Sequence, residues 1–120
     1  MRENILKEKS YRFALRIVRL CRYLEEKGEY VLRRQVLRSG TAIGALIRES
    51  EFAQSRADFT SKLHIALKEA NETEYWLALL KDSGYISDKM HSSIKPEIDE
   101  LIKLLVASVK SSKISKEKQR

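Results

Sequence analysis

The side chains best suited to catalysis are few and badly placed for it. Imidazole moves protons and holds metals near neutral pH, and the chain has two, His64 and His91, 27 residues apart. His64 has no cysteine or carboxylate three or four residues to either side. His91 has only Asp88, three residues before it. Bundles that hold two iron ions use Glu-x-x-His on two helices, and neither histidine has a glutamate at that spacing. The lone thiol, Cys21, lies between Leu20 and Leu24 in an apolar stripe and reads as a small buried hydrophobe. Glu49 and Glu51 read as solvated carboxylates. Gly40 and Gly44 would suggest a phosphate-cradling loop only with a strand before them and Gly-Lys-Ser/Thr after them, and neither is there. The expectation is a protein without catalytic residues, cofactor or metal.

Positive charge is the stronger signal. Lys plus Arg number 24 against 17 Asp plus Glu, a formal net charge of +7. Residues 1–28 carry 8 basic and 4 acidic side chains, whereas residues 57–84 carry 3 and 5. Lys9, Arg12, Arg16 and Arg19 recur at three- and four-residue steps, which stacks them on one helix face, with Arg22 just beyond the edge of that band. Clustered cations repel unless something anionic lies against them. Phosphates are regularly spaced anions that arginine binds bidentately, so these five residues are the candidate contacts to RNA or DNA. The plainer readings are a solvated face, or salt bridges to acidic residues of the third segment. No helix-turn-helix signature, zinc finger or aromatic stacking pair is present, so such binding would be led by backbone and shape.

The elements that must carry this band are helices. Gly and Pro together number 5 in 120, against about 12% in ordinary proteins, which argues against many strands and against a loop-built site. Apolar spacing marks four segments, at about 4–27, 30–55, 58–82 and from Ser87 onward. Gly28 and Gly84 suit helix ends, and Ser55 or Asp58 and Ser87 suit helix starts. Pro96 predicts a kink in the fourth helix or a restart there. Leu6, Phe13, Ile17, Leu20, Cys21 and Leu24 form the first apolar face, widened by Tyr11, Leu15 and Val18 into an arc broad enough for more than one neighbour. That breadth predicts a homo-oligomer. Gly40 and Gly44 share a face and each costs about 1 kcal/mol relative to alanine, which predicts close approach of a neighbouring helix. Glu74 falls between Ala70 and Leu77 on the apolar side of the third helix, and is predicted to be partly buried and paired with Arg38 first or Arg34 second.

Short links make sequential helices antiparallel, which gives an all-α, up-down-up-down four-helix bundle over residues 1–112, followed by a basic flexible C-terminal tail at 113–120. No apolar run approaches the ~20 residues of a membrane span. The charged N-terminal segment lacks a signal peptide's apolar stretch, and one cysteine suits a reducing compartment, so a cytoplasmic location away from membranes is expected.

The segment Leu37-Arg38-Ser39-Gly40-Thr41-Ala42-Ile43-Gly44-Ala45-Leu46-Ile47-Arg48-Glu49 resembles a second-helix motif of the bacterial four-helix-bundle family that includes proteins encoded in intervening sequences of 23S ribosomal RNA genes. The run from Asp58 to Leu77, with Leu79 to Ile86 after it, is similar to the third-helix motif of that family. The resemblance covers residues 37–86 and implies a bundle assembled as a ring-shaped homopentamer. The accessory variability determinant of diversity-generating retroelements is a more distant likeness, and implies binding of nucleic acid and a reverse transcriptase through a basic surface. Two functions are therefore expected to compete: a non-enzymatic oligomeric scaffold on RNA or DNA, or an adaptor whose partner is another protein.

Overall fold

A computed structural model describes the backbone of residues 2–118 and the side chains of residues 4–114. Four helices follow in order: α1 (Arg2–Glu26), α2 (Val31–Ser50), α3 (Arg56–Asp82) and α4 (Asp88–Lys118). Their ends are set by local chemistry. Gly28 and Gly84 take φ of +78° and +84°, the left-handed conformation that glycine adopts without strain. In both turns the chain closes a Schellman motif: Glu29 N donates to Leu24 O and Tyr85 N to Leu80 O, each at 2.9 Å. Ser55 Oγ accepts from Asp58 N at 3.0 Å and Asp58 Oδ2 from Gln54 N at 3.1 Å, a reciprocal cap on α3. Ser87 Oγ accepts from Met90 N at 3.1 Å at the start of α4. At α2 the side chain of Glu29, one residue before the cap position, accepts from Leu32 N at 2.7 Å.

α2 ends at Ser50, five residues short of the expected 55, because its apolar periodicity stops at Ile47 and, after the buried Ser50, Glu51 and Phe52 are exposed. Val31, expected on the apolar face, is exposed at the first turn of α2. α4 runs through Pro96 as one helix. Ser92, whose carbonyl Pro96 leaves without a helical donor, and Pro96 itself are both exposed, so the carbonyl is not sealed from solvent. The helical backbone of α4 also continues past the expected boundary at 112 to Lys118, although Ser112 is its last buried side chain among those described.

Each helix packs on the two beside it: α2 on α1 and α3, α4 on α3 and α1. Among the described residues the diagonal helices keep their backbones apart, meeting only through core side chains, and the seam between α1 and α4 is the thinnest. This is the up-down-up-down four-helix arrangement, 53 × 22 × 20 Å. One continuous core runs along it, with Phe13, Ile17 and Leu24 meeting Val36, Ile43, Leu63, Leu77, Leu80, Ile98, Leu101 and Leu105.

Gly40 and Gly44 both face α1. A Cβ built on Gly40 would lie 2.8 Å from Ile17 Cγ1, inside contact distance, whereas one on Gly44 would lie 3.3 Å from Ser10 Oγ and 3.5 Å from the Ser10 backbone. Glu74 is partly buried, as expected, but its expected pairing with Arg38 or Arg34 is absent. Its side chain is 44% exposed and lies 4.0 Å from Lys95 Nζ on α4, not against α2. The buried row of α3 is Leu63, Ala66, Ala70, Thr73, Leu77 and Leu80, so the position turned to α2 is Thr73, whose hydroxyl meets that of Ser39 at 2.9 Å. Arg38 does bind α3, but one turn earlier: Nη1 lies 2.8 Å from Glu69 Oε2, and Nη2 pairs with Glu72, which also accepts from Trp76 Nε1 at 3.1 Å. The pair with Arg38 and the Trp76 hydrogen bond hold the Glu72 carboxyl below its usual range. Arg34 has no carboxylate partner among the described residues.

Candidate nucleic-acid interface

The basic band of α1 lies where its spacing puts it, on one side of the helix, but that side faces the thin α1–α4 seam. Lys9 Nζ is 3.0 Å from Glu100 Oε1. Arg16 is more deeply tied: Nη1 donates to Ser93 O at 3.0 Å and to Glu97, and Nη2 donates to Ser93 Oγ at 2.8 Å. Arg12 Nη2 pairs at 2.6 Å with Glu8, one turn earlier on its own helix. The band still faces solvent, with the Lys9 and Arg12 side chains 42% and 71% exposed, but its first three cations are already answered. Their charge is met by carboxylates within the chain, and for Lys9 and Arg16 those carboxylates belong to α4 and not to the third segment. Glu97 and Glu100 stand three apart on the α4 face that lies beside this band, which is the registration a helix pair needs.

Arg19 and Arg22 differ. Both are exposed, and among the described residues neither has a hydrogen-bond or ion-pair partner. Arg34 stands three residues into α2 and Arg22 four residues before the end of α1, so the antiparallel turn at 27–30 sets them at similar heights. Arg19, Arg22 and Arg34 thus lie toward the end of the bundle where α1 passes into α2, while Arg48 and Arg56, also exposed and without a carboxylate partner among the described residues, lie toward the other end. Sequence spacing found Arg19 and Arg22 and missed Arg34, because the signal was sought within one helix.

Other candidate chemistry resolves simply. Cys21 is buried, its Sγ 3.7 Å from Arg33 O. Burial pushes the thiol up from 9.0 to about 11, with the Arg33 charge pulling slightly the other way. A protonated, enclosed thiol is a poor nucleophile. His64 is exposed. His91 is half-buried and held below its ordinary value by that burial first and then by the charges of Lys81 and Lys95. Among the described residues no three His, Cys, Asp or Glu side chains come together as metal ligands, and no helix is long and apolar enough to cross a membrane.

Fold and surface together define an all-α bundle protein with a basic face and a sealed core. The model of the 23S rRNA-intervening sequence protein family matches residues 2–107, and the chain belongs to that family. A crystal structure of a protein of unknown function from the S23 ribosomal protein family of Bacteroides thetaiotaomicron VPI-5482 is similar, with 55% identity and a TM-score of 0.89, covering 92% of this chain and 99% of that one. No curated protein matches the chain.

Proposed function

We propose that the protein is a non-enzymatic, self-assembling scaffold that binds RNA or DNA through the open cations Arg19, Arg22 and Arg34. The observation that carries this reading is that Arg19, Arg22 and Arg34, exposed and toward one end of the bundle, have no carboxylate partner among the described residues, whereas Lys9, Arg12, Arg16 and Arg38 do. Unmatched arginines favour phosphate, and binding through them alone favours no base sequence. Membership of a family named for 23S rRNA intervening sequences supports an RNA setting. Assembly into a homo-oligomer, in the ring of five that the resemblance implies, is supported by Tyr11 and Leu15, which lie 59% and 42% exposed on the outer side of α1. Repeating a weak phosphate site around such a ring raises its avidity. The setting that suits this role is the cytoplasm.

One observation favours the adaptor reading instead: Lys9, Arg12 and Arg16 are already neutralised within the chain, which lowers the charge left for phosphate. Binding of a fluorescent random-sequence RNA, measured across a salt series, separates the two. In the nucleic-acid reading, replacing Arg19, Arg22 and Arg34 with glutamine weakens binding and flattens the slope of log K against log[salt] by roughly 0.7–0.9 for each phosphate that is no longer neutralised. Replacing Arg12 alone changes it little. Absence of parent binding at low salt gives the role to a protein partner. The same assay on a chain ending at Ser112 removes the basic C-terminal segment as a source of binding.

A further inference from the structure

The two ends of the bundle carry features that match each other. Toward the end where α1 finishes and α4 begins, the α1–α4 seam opens into a groove of about 480 Å³. Leu20, Ile86 and Ile94 form its floor, and Tyr23 and Met90 stand partly exposed beside them. Arg19 from α1 and Lys89 from α4 line its mouth, and neither has a carboxylate partner among the described residues. At the other end, in the α2–α3 connection, Phe52 is 82% exposed, more than any other large apolar side chain described. The other two phenylalanines are packed, Phe13 fully and Phe59 partly. Three residues before Phe52, the Glu49 carboxylate is exposed and has no partner among the described residues.

We infer that Phe52 of one copy seats in the α1–α4 groove of the next, with Glu49 set against Lys89 at its mouth. This rests on the self-assembly reading and names its contact. An aromatic side chain entering an apolar pocket, bordered by an opposite-charge pair, is the arrangement that concentrates binding energy at protein interfaces. Met90 supplies an unbranched, adaptable wall for an aromatic guest. Knob and groove are different patches, so the contact is heterologous: each copy offers one of each, and the series ends only by closing into a ring. The acidic Glu49–Phe52 segment also fits a cationic mouth better than the basic C-terminal segment does.

The test uses the full chain and light scattering across a concentration series. Phe52 is exposed in the protomer, so Phe52→Ala leaves helix content unchanged; its assembly should require at least tenfold higher concentration than the parent's. Glu49→Lys and Lys89→Glu should each weaken assembly, and the double variant Glu49→Lys/Lys89→Glu should regain it, which loss of folding could not produce. If the parent assembles and Phe52→Ala assembles equally well, the inference is overturned while the scaffold reading stands. If the charge swap fails to regain assembly, the Glu49–Lys89 register is wrong and the inference falls likewise. If the parent remains a single chain at all concentrations, both readings fall. Capture of an unrelated acidic peptide in the groove, with parent assembly untouched by that peptide in excess, also overturns it.

Discussion

Gly40 and Gly44 stand one helical turn apart and look equivalent in sequence, yet their surroundings give them opposite roles. A methyl group at Gly40 would meet Ile17 Cγ1 at 2.8 Å, on a side chain locked in the core. Overpacking of that kind costs about 1–3 kcal/mol, more than the roughly 1 kcal/mol that alanine returns in helix propensity. At Gly44 the nearest atom is a hydroxyl oxygen at 3.3 Å, beyond which contact is ordinary. Gly40→Ala should therefore melt below the parent and Gly44→Ala at or above it, as thermal unfolding followed by circular dichroism would report. Equal shifts in both would mean that close approach at Gly40 is not what sets its identity. Thr73 and Glu74 make a second contrast between neighbours. Thr73→Val leaves the buried Ser39 hydroxyl without its partner, at a cost of about 1–3 kcal/mol. Glu74, nearly half exposed and 4.0 Å from Lys95, should cost under about 1 kcal/mol on truncation to alanine. Denaturant titration of the two variants decides between this placement and a buried Glu74.

At the scale of elements, the polar clasp matters most at the thinnest seam, between α1 and α4. The α1–α2 and α2–α3 seams are closed by small residues and hydroxyls at close range, Gly40 and Gly44 against Ile17 and Ser10, and Ser39 against Thr73. The thinner α1–α4 seam is clasped by polar side chains, with Arg16 spanning Ser93 and Glu97, and Lys9 reaching Glu100. Arg16 also donates to Ser93 O, one residue after the Ser92 carbonyl whose helical donor Pro96 removes. Arg16→Gln should destabilise the fold by about 1 kcal/mol, and a double-mutant cycle with Glu97→Gln should give a coupling of about 0.5–1 kcal/mol, as expected for a half-exposed pair. A coupling of zero would mean that Arg16 is held by Ser93 alone. If Arg16 were instead mainly a phosphate contact, its replacement would weaken RNA binding and leave unfolding untouched.

For the whole molecule, the proposed assembly is what the scaffold reading depends on. A 14.0 kDa chain with Tyr11, Leu15 and Phe52 in water exposes apolar side chains that its own core does not need. Light scattering at micromolar concentration should return a multiple of that mass, near 70 kDa (about five copies) if the ring implied by the resemblance forms. A particle of one chain's mass would remove the scaffold role and leave the basic cluster to act alone.

Periodicity in the sequence was sufficient for the helices, their antiparallel order and most of the core, because the apolar face of each helix recurs every three to four residues whatever packs on it. Gly28, Ser55, Gly84 and Ser87 were legible for the same reason, since capping is local chemistry within five or six residues. The motif around Gly40 and Gly44 was legible as close approach, though not which glycine is the tighter. What the tertiary structure alone decided were relations between helices. A rotation of one residue on α3 put Thr73 at the α2 seam and turned Glu74 toward α4, and no spacing within α3 could distinguish those two. Likewise, whether Lys9, Arg12 and Arg16 were open or answered depended on which face of α4 came beside them. Glu97 and Glu100 are 81 or more residues from Arg16 and Lys9 in sequence and in ion-pair contact with them in space. Charge along a chain says how many cations there are; only packing says which of them are left for a partner.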